Sequence, residues 1–462
     1  MERHRMFTTM HTCSLYILII ALFTGTFSRG GYFPEEKMFF TSLLIIAGTL
    51  ELIASLHLGK GAALQTPVFW LLLGTACLGT SSLLWTASTT KTAEESLLLF
   101  GYLSAFYVAF RHLQEDFEAS IKTIALSAAI GGGIFSAIGL TAFMLQVPLY
   151  NNLVDGLLRA GSTFEYSNAL SCFALMMIPV SIVVYWQAEA KDRPWFASII
   201  SLEICAVVIS FSRFGIVALS GISLYFLIIA IRKGGFVSAA IITAGGFLAA
   251  AAAITSKQNH HVVGLAVVSL ILATAWLEQK VSQNIRLKCP LRFKVTAVSI
   301  GIVAAASVIS QLAGNNKFQK TITGRFIHGM QLSQMLPHRL DTFKGAFAAF
   351  LNHPITGTGL SSFGEVYTRY AAASYTKYAH NLVLQTAVET GIVGALVIAV
   401  FLLYVMVSAI RRLANGDQLQ RGFAISCLIF VAYNMFDWEW YIPALTGWFL
   451  LSVVCIEVRK RP

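Results

Sequence analysis

Charge is what this 462-residue chain has least of: 12% of its residues are charged, about half the roughly 25% of an average soluble domain. With 56% of the residues hydrophobic, a water-soluble globule is excluded. Nucleotide-cradling glycine patterns are also missing. Neither a Gly-Lys-Ser/Thr phosphate loop nor a dinucleotide fingerprint occurs, which argues against ATP- or nucleotide-sugar-dependent chemistry. Metal-ligand spacing is missing too. No His-x-x-x-His or paired-cysteine pattern appears, and His260, His261, His328, His338 and His353 form no compact ligand set. Of seven cysteines, Cys13, Cys77, Cys172, Cys205, Cys427 and Cys455 sit in apolar runs and Cys289 in a basic stretch. That pattern suits small hydrophobes better than a disulfide framework. No metal site and no cofactor is expected.

What the chain has in abundance is apolar runs. Crossing ~30 Å of hydrocarbon takes ~20 mostly apolar residues, because only a helix satisfies its own backbone there. About fourteen stretches (range 12 to 14) meet that need, near 12–28, 38–57, 67–86, 95–110, 121–146, 165–186, 195–211, 214–231, 236–254, 262–277, 295–312, 383–410, 421–436 and 441–457. The expected fold is an all-α, polytopic membrane bundle. The basic N-terminus followed by an apolar run lacks a small-x-small cleavage site, so it reads as the first anchored span.

Placing the N-terminus in the cytoplasm puts twenty of the 33 basic residues on inside segments and six on short outside ones. The positive-inside rule therefore sets both ends inside and accounts for the net charge of +11 without nucleic acid. The chain then divides into eleven spans (1–312), a large outer loop (313–381) and three last spans (382–462). No cytosolic segment is large enough to enclose a nucleotide. A substrate must arrive in the lipid or from outside.

Within the loop, Leu340, Phe343, Phe347, Phe350 and Leu351 form a helical stripe beginning after Arg339. This predicts a short helix resting on the bundle or in the headgroup layer. His353 to Leu360 follows, where Pro354 ends the helix and Gly357 and Gly359 permit tight turns. Such a turn can serve as a plain connection or offer backbone N–H groups to an anion.

Four outer ionisable residues stand out, because such groups are costly near hydrocarbon. Arg213 lies in a tight turn, Ser210-Phe211-Ser212-Arg213-Phe214-Gly215, where it either snorkels or grips a phosphate through paired donors. Arg159 precedes span six, with Glu165 a potential partner. Arg339 heads the loop helix, where a cation opposes the helix dipole. His380 with Asn381 precedes span twelve. There the positive end of a helix favours a neutral imidazole able to accept a hydroxyl proton, unless the pair only caps the helix. Glu389, nine positions on, points about 180° away from His380 and is expected to contact a neighbouring helix. Glu51 and Glu203 lie within spans, as two isolated acids. Asp437 and Glu439 read as structural groups of an aromatic outer turn.

The stretch His353-Pro354-Ile355-Thr356-Gly357-Thr358-Gly359-Leu360-Ser361-Ser362-Phe363, then Ala379-His380-Asn381 and Glu389-Thr390-Gly391-Ile392-Val393-Gly394, resembles the O-antigen ligase and O-antigen polymerase superfamily. Gly161-Ser162-Thr163-Phe164 with Asn168, and Ser212-Arg213-Phe214-Gly215, resemble its upstream signatures, so the likeness covers roughly 155–410. It departs from the family in an additional pair of spans near 236–312.

The resemblance implies a GT-C-type glycosyltransferase in the bacterial inner membrane. It would work on the outer face and take a glycan from undecaprenyl diphosphate to a lipid, glycan or protein acceptor, without metal or nucleotide. By resemblance, His380 activates the acceptor hydroxyl and Arg213 and Arg339 hold the diphosphate. Arg159 is added to that set, and Gly357, Gly359 and Asn381 support the loop. A polymerase of the same superfamily is the nearest alternative. A lipid-linked glycan flippase is the alternative of another class, but no internal repeat of the hydropathy pattern favours it.

Overall fold

The computed structural model describes residues 2–59, 66–154, 157–233, 235–255, 271, 273–274, 276–277, 332–370 and 376–459. They are overwhelmingly helical. The helices are α1 (Glu2–Phe27), α2 (Pro34–His57), α3 (Pro67–Ser81), α4 (Thr89–Glu115), α5 (Phe117–Met144), α6 (Ser167–Gln187), α7 (Arg193–Ile209), α8 (Arg213–Lys233) and α9 (Phe236–Thr255). After them come α10 (Leu332–Asn352), α11 (Phe363–Tyr367), α12 (Leu382–Asn415), α13 (Gln418–Tyr433) and α14 (Pro443–Glu457).

The sequence marks many of the starts. Proline sits in the first turn of α2, α3, α7 and α14, where its fixed φ suits a helix and its missing N–H costs nothing. Asp417 caps α13 by accepting from Gln420 N at 2.8 Å. The only sheet among the described residues is a hairpin, β1 (Asn151–Val154) with β2 (Leu157–Ala160), which pairs Asn152 with Arg159.

Nine described helices are long and apolar enough to cross a membrane: α1, α2, α3 with its following turn, α4, α5, α6, α8, α9 and α12. The stretches expected at 195–211, 421–436 and 441–457 form the shorter α7, α13 and α14, of 17, 16 and 15 residues. Of 262–277 only a few residues are described, and they are helical. The stretch 295–312, with Cys289, His260, His261 and His328, lies outside the described residues. The six described cysteines are free.

Two compact units divide the chain, residues 1–124 with 332–462, and residues 125–331. In the first, α1 packs on α2, α2 and α3 on α4, α3 on α12, α12 on α13, and α13 on α14. In the second, α6 packs on α7, α7 on α9, and α8 on α9.

The loop helix differs from its prediction at both its start and its packed face. It begins at Leu332, so Arg339 lies two turns inside it and the helix-dipole cost argued for a leading arginine does not apply. Pro337 reads in sequence as a boundary, since the residue before proline avoids the α region. Gly345, Ala346 and Ala349 are the residues buried against the protein, meeting Phe363, Tyr367, Ala379 and Val388. Leu340, Phe347 and Leu351 stay 44%, 53% and 58% exposed. The small side allows close packing, and of the predicted stripe Phe350 joins it while Leu340, Phe347 and Leu351 stay outward.

Candidate functional site

In the first unit, one end of the bundle gathers the loop residues. The strap from His353 to Ser362 is stitched there by main-chain bonds. Trp85 Nε1 donates to Thr356 O at 3.0 Å, Ala87 N to Thr358 O at 3.1 Å, and Leu360 N to Ser82 Oγ at 3.0 Å. The strap also repairs a break in α12. Gly391 has φ +70°, which interrupts the helix. Thr358 N and Gly359 N donate to the exposed carbonyls of Val388 and Glu389 at 2.9 and 2.8 Å, and Ile392 N donates to Pro354 O at 2.8 Å.

Gly357 and Gly359 have φ of +64° and +104°, and a Cβ on them would collide with the Glu389 backbone and with Thr86. Only glycine fits both the conformation and the approach. The N–H groups of residues 357 to 360 are thus spent inside the protein. Of the two uses open to this turn, the structure shows the connection and not an anion cradle.

Asn381 starts α12. Its Oδ1 accepts from Leu384 N at 2.9 Å and its Nδ2 donates to Met435 O at 3.1 Å, while Leu382 N donates to Asn434 O at 2.9 Å. These bonds pin the beginning of α12 to the α13–α14 turn. His380, at φ +55°, is thereby held with its Nδ1 2.9 Å from Asp437 Oδ1. That same oxygen accepts from Trp438 N at 3.1 Å. A carboxylate partner places the proton on Nδ1 and leaves Nε2 with its lone pair. Asp437 is buried, and the imidazole is about one-fifth exposed.

Asp437 was not part of the site expected from the sequence. The signal that finds it is topological: α12 and α13 are antiparallel neighbours joined by a short connection, so the start of one meets the end of the other. Glu389 likewise has a partner the helical wheel omits. Gln385 Nε2 donates to it at 3.0 Å, and Gln385 Oε1 accepts from Ala379 N at 2.9 Å. Its carboxyl thus meets Gln385 on its own helix, one step from the backbone that carries His380, and also faces the backbone of Ser361 and Phe363 where α11 begins.

Glu439 is fully buried, with neither carboxylate oxygen hydrogen-bonded. Burial, and after it the Asp437 charge, push its carboxyl well above the ordinary range, against the opposing pull of Arg339. Arg339 in turn has a buried Nη1 without a hydrogen-bond partner. The structure thus brings Arg339 into one electrostatic cluster with Glu439, Asp437 and His380.

Aromatic rings flank the cluster. Tyr378 stacks on Trp438 and Tyr441 at 4.6 and 5.0 Å, and Tyr32 accepts from Lys377 Nζ at 2.8 Å. Burial raises the Tyr378 phenol well above its usual range.

The second unit is described by itself. Arg159 is buried, and its Nε and Nη2 donate to Ser210 O and Asn168 Oδ1, both at 2.8 Å. It thereby ties down the three-residue turn between α7 and α8. Arg213 is the first residue of α8, behind a turn in which Gly215 N donates to Ser212 Oγ at 3.3 Å. Glu203 accepts from Ser181 Oγ at 2.8 Å.

Donors that could hold a metal occur together elsewhere, toward the far end of the first unit. His11 Nδ1 and His112 Nε2 lie 2.8 and 3.6 Å from Glu51 Oε2. The two rings stack at 3.8 Å with 9° between their planes, so their in-plane lone pairs run side by side and do not converge on one ion. Hydrogen bonds from Ser14 and Ser55 to Glu51 complete a buried polar cluster.

Residues 244–399 match the family model for O-antigen ligase. The matched segment contains Arg339, Gly357, Gly359, His380 and Asn381, whereas Arg159, Arg213 and Asp437 lie beyond it. No curated protein matches the chain.

Proposed function

We propose, from the match of residues 244–399 to the family model for O-antigen ligase, that the protein transfers a preassembled glycan from a polyprenyl-diphosphate carrier to an acceptor hydroxyl on the outer face of a bacterial inner membrane. The observation that carries this reading is the His380–Asp437 pair at 2.9 Å, with Arg339 acting on Glu439, two residues from Asp437.

The acceptor oxygen bonds to the anomeric carbon as the bond from that carbon to the phosphate oxygen breaks. The acceptor proton goes to Nε2 of His380. Asp437 orients the ring and stabilises the imidazolium that forms. Polyprenyl diphosphate leaves with the bonding electrons. Charge then grows on its oxygens beside lipid, where a fixed guanidinium such as Arg339 acts strongly. In the second unit Arg213 is assigned to the diphosphate, at a helix N-terminus that also favours anions. Arg159, with two donors committed to Ser210 and Asn168, is assigned to positioning the Arg213 turn. Neither metal nor nucleotide enters this scheme.

The test is transfer by purified protein in detergent, given polyprenyl-diphosphate-linked glycan and acceptor with chelator and no nucleotide. Product should form, and His380→Ala should abolish it while leaving membrane insertion intact. Arg339→Ala should cost about 100-fold in rate, as loss of one preorganised donor does. Lipid scrambling without a new glycosidic bond, or full turnover by the His380 variant, overturns the proposal.

A further inference from the structure

At the end of the first unit remote from His380, α12 and α14 finish beside the beginning of α3. A cavity of about 780 Å³ opens there, lined by Gln114, Tyr404, Arg411, Arg412, Asn415 and Arg459 among others. Its charge is lopsided. Three guanidinium groups face one acid, Glu457, whose Oε2 is already engaged by the hydroxyls of Thr66 and Tyr404, each at 3.0 Å.

Arg412 is fixed in place, since its Nη2 reaches the carbonyls of Glu457 and Val458 at 3.3 and 3.4 Å. Arg459 repels it. Among the described residues, Arg411 and Arg459 have no hydrogen-bonded or ion-paired partner. Like charges held together around a polar cavity are relieved by an anion, and guanidinium forks match phosphate oxygens in pairs.

The source of that phosphate is indicated by what leads to the cavity. Leu396, Val400, Leu403, Val407 and Ile410 recur every three or four residues along α12, and all are exposed. They make an apolar track that ends one residue before Arg411. We propose that the cavity binds the headgroup of an anionic phospholipid, its acyl chains lying along this track. The site is separate from the His380 cluster and does not depend on the glycan-transfer reading.

The experiment uses delipidated full-length protein in detergent, titrated with phosphatidylglycerol, with phosphatidylcholine and with inorganic phosphate. Bound lipid is counted by native mass spectrometry and stability is followed by thermal melting. Phosphatidylglycerol should bind and raise the melting temperature, and phosphatidylcholine should do neither. Arg411→Ala/Arg459→Ala should weaken phosphatidylglycerol binding by roughly 30-fold, for the loss of two charges near a lipid surface. The melting of the lipid-free protein should be unchanged. Lys122→Ala, at an exposed position of α5, should bind as the unaltered chain does. Equal binding of the two lipids, undiminished binding by the double variant, an equal loss in the Lys122 control, or the same stabilisation by inorganic phosphate alone overturns the assignment.

Discussion

Asp437 stands 57 positions from His380 in the chain and 2.9 Å from it in space. Charge, and not mere contact, is what the histidine takes from it. Asp437→Asn keeps the shape but drops the preference for a proton on Nδ1. Turnover should fall by roughly 10²- to 10⁴-fold with KM little changed, read from steady-state transfer kinetics. Glu439 gives a prediction of another kind. Its folded form holds the proton more tightly than the unfolded chain does, so its contribution to stability is complete below the ordinary value near 4.5 and is lost as pH rises through the raised folded value. Glu439→Gln should therefore melt less pH-dependently than the unaltered protein, and should gain on it at alkaline pH. Equal pH slopes for the two would refute the assignment. His380 and Arg339 stand out in the sequence as ionisable groups on the outer side, next to span twelve and in the loop helix. Asp437 and Glu439 were read as a belt of interfacial side chains, because nothing in local spacing says which outer turn faces which.

At the scale of elements, α12 concentrates the devices that hold the site. Asn381→Ala removes both the cap and the bond to Met435, and should cost about 1 kcal/mol for the cap alone, measured by thermal melting. Gly391→Ala places a Cβ against Ile355 O at a φ that L-residues avoid. It should release the 353–362 strap, seen as faster proteolytic cleavage there, and lower transfer without touching a reacting group. The run of apolar residues from 383 to 410 announces this helix plainly. Its interruption at Gly391 is hidden, because a lone glycine in such a run is common, and the break is stabilised by the strap's N–H groups and its Pro354 carbonyl. The loop helix shows the same limit. Its 3.6-residue periodicity was readable, but Leu332 as its start was masked by Pro337, and which face packs was decided by Ala346 and Ala349 being small enough to approach Tyr367.

For the molecule as a whole, hydropathy marks the nine described helices long and apolar enough to cross, because a backbone in lipid has few options. The division into units was not legible, since it falls between Ile124 and Ala125, inside the unbroken apolar helix α5. The charge bias makes one global prediction. A periplasmic reporter inserted after Thr368 should be active and one fused after Arg459 should not, and the reverse pattern would move the His380 cluster to the wrong side for a lipid-borne donor. The break in α12 then fixes a height. From Ile392 to Asn415 the helix has enough length, ~36 Å at 1.5 Å per residue, to cross the hydrocarbon by itself. On the proposed topology the turns before Gly391 would form a pedestal of ~13 Å lifting the imidazole clear of the acyl chains. A carrier whose isoprenoid tail stays buried would present its phosphates at about that level, so the reactive carbon meets the histidine without the tail leaving the bilayer.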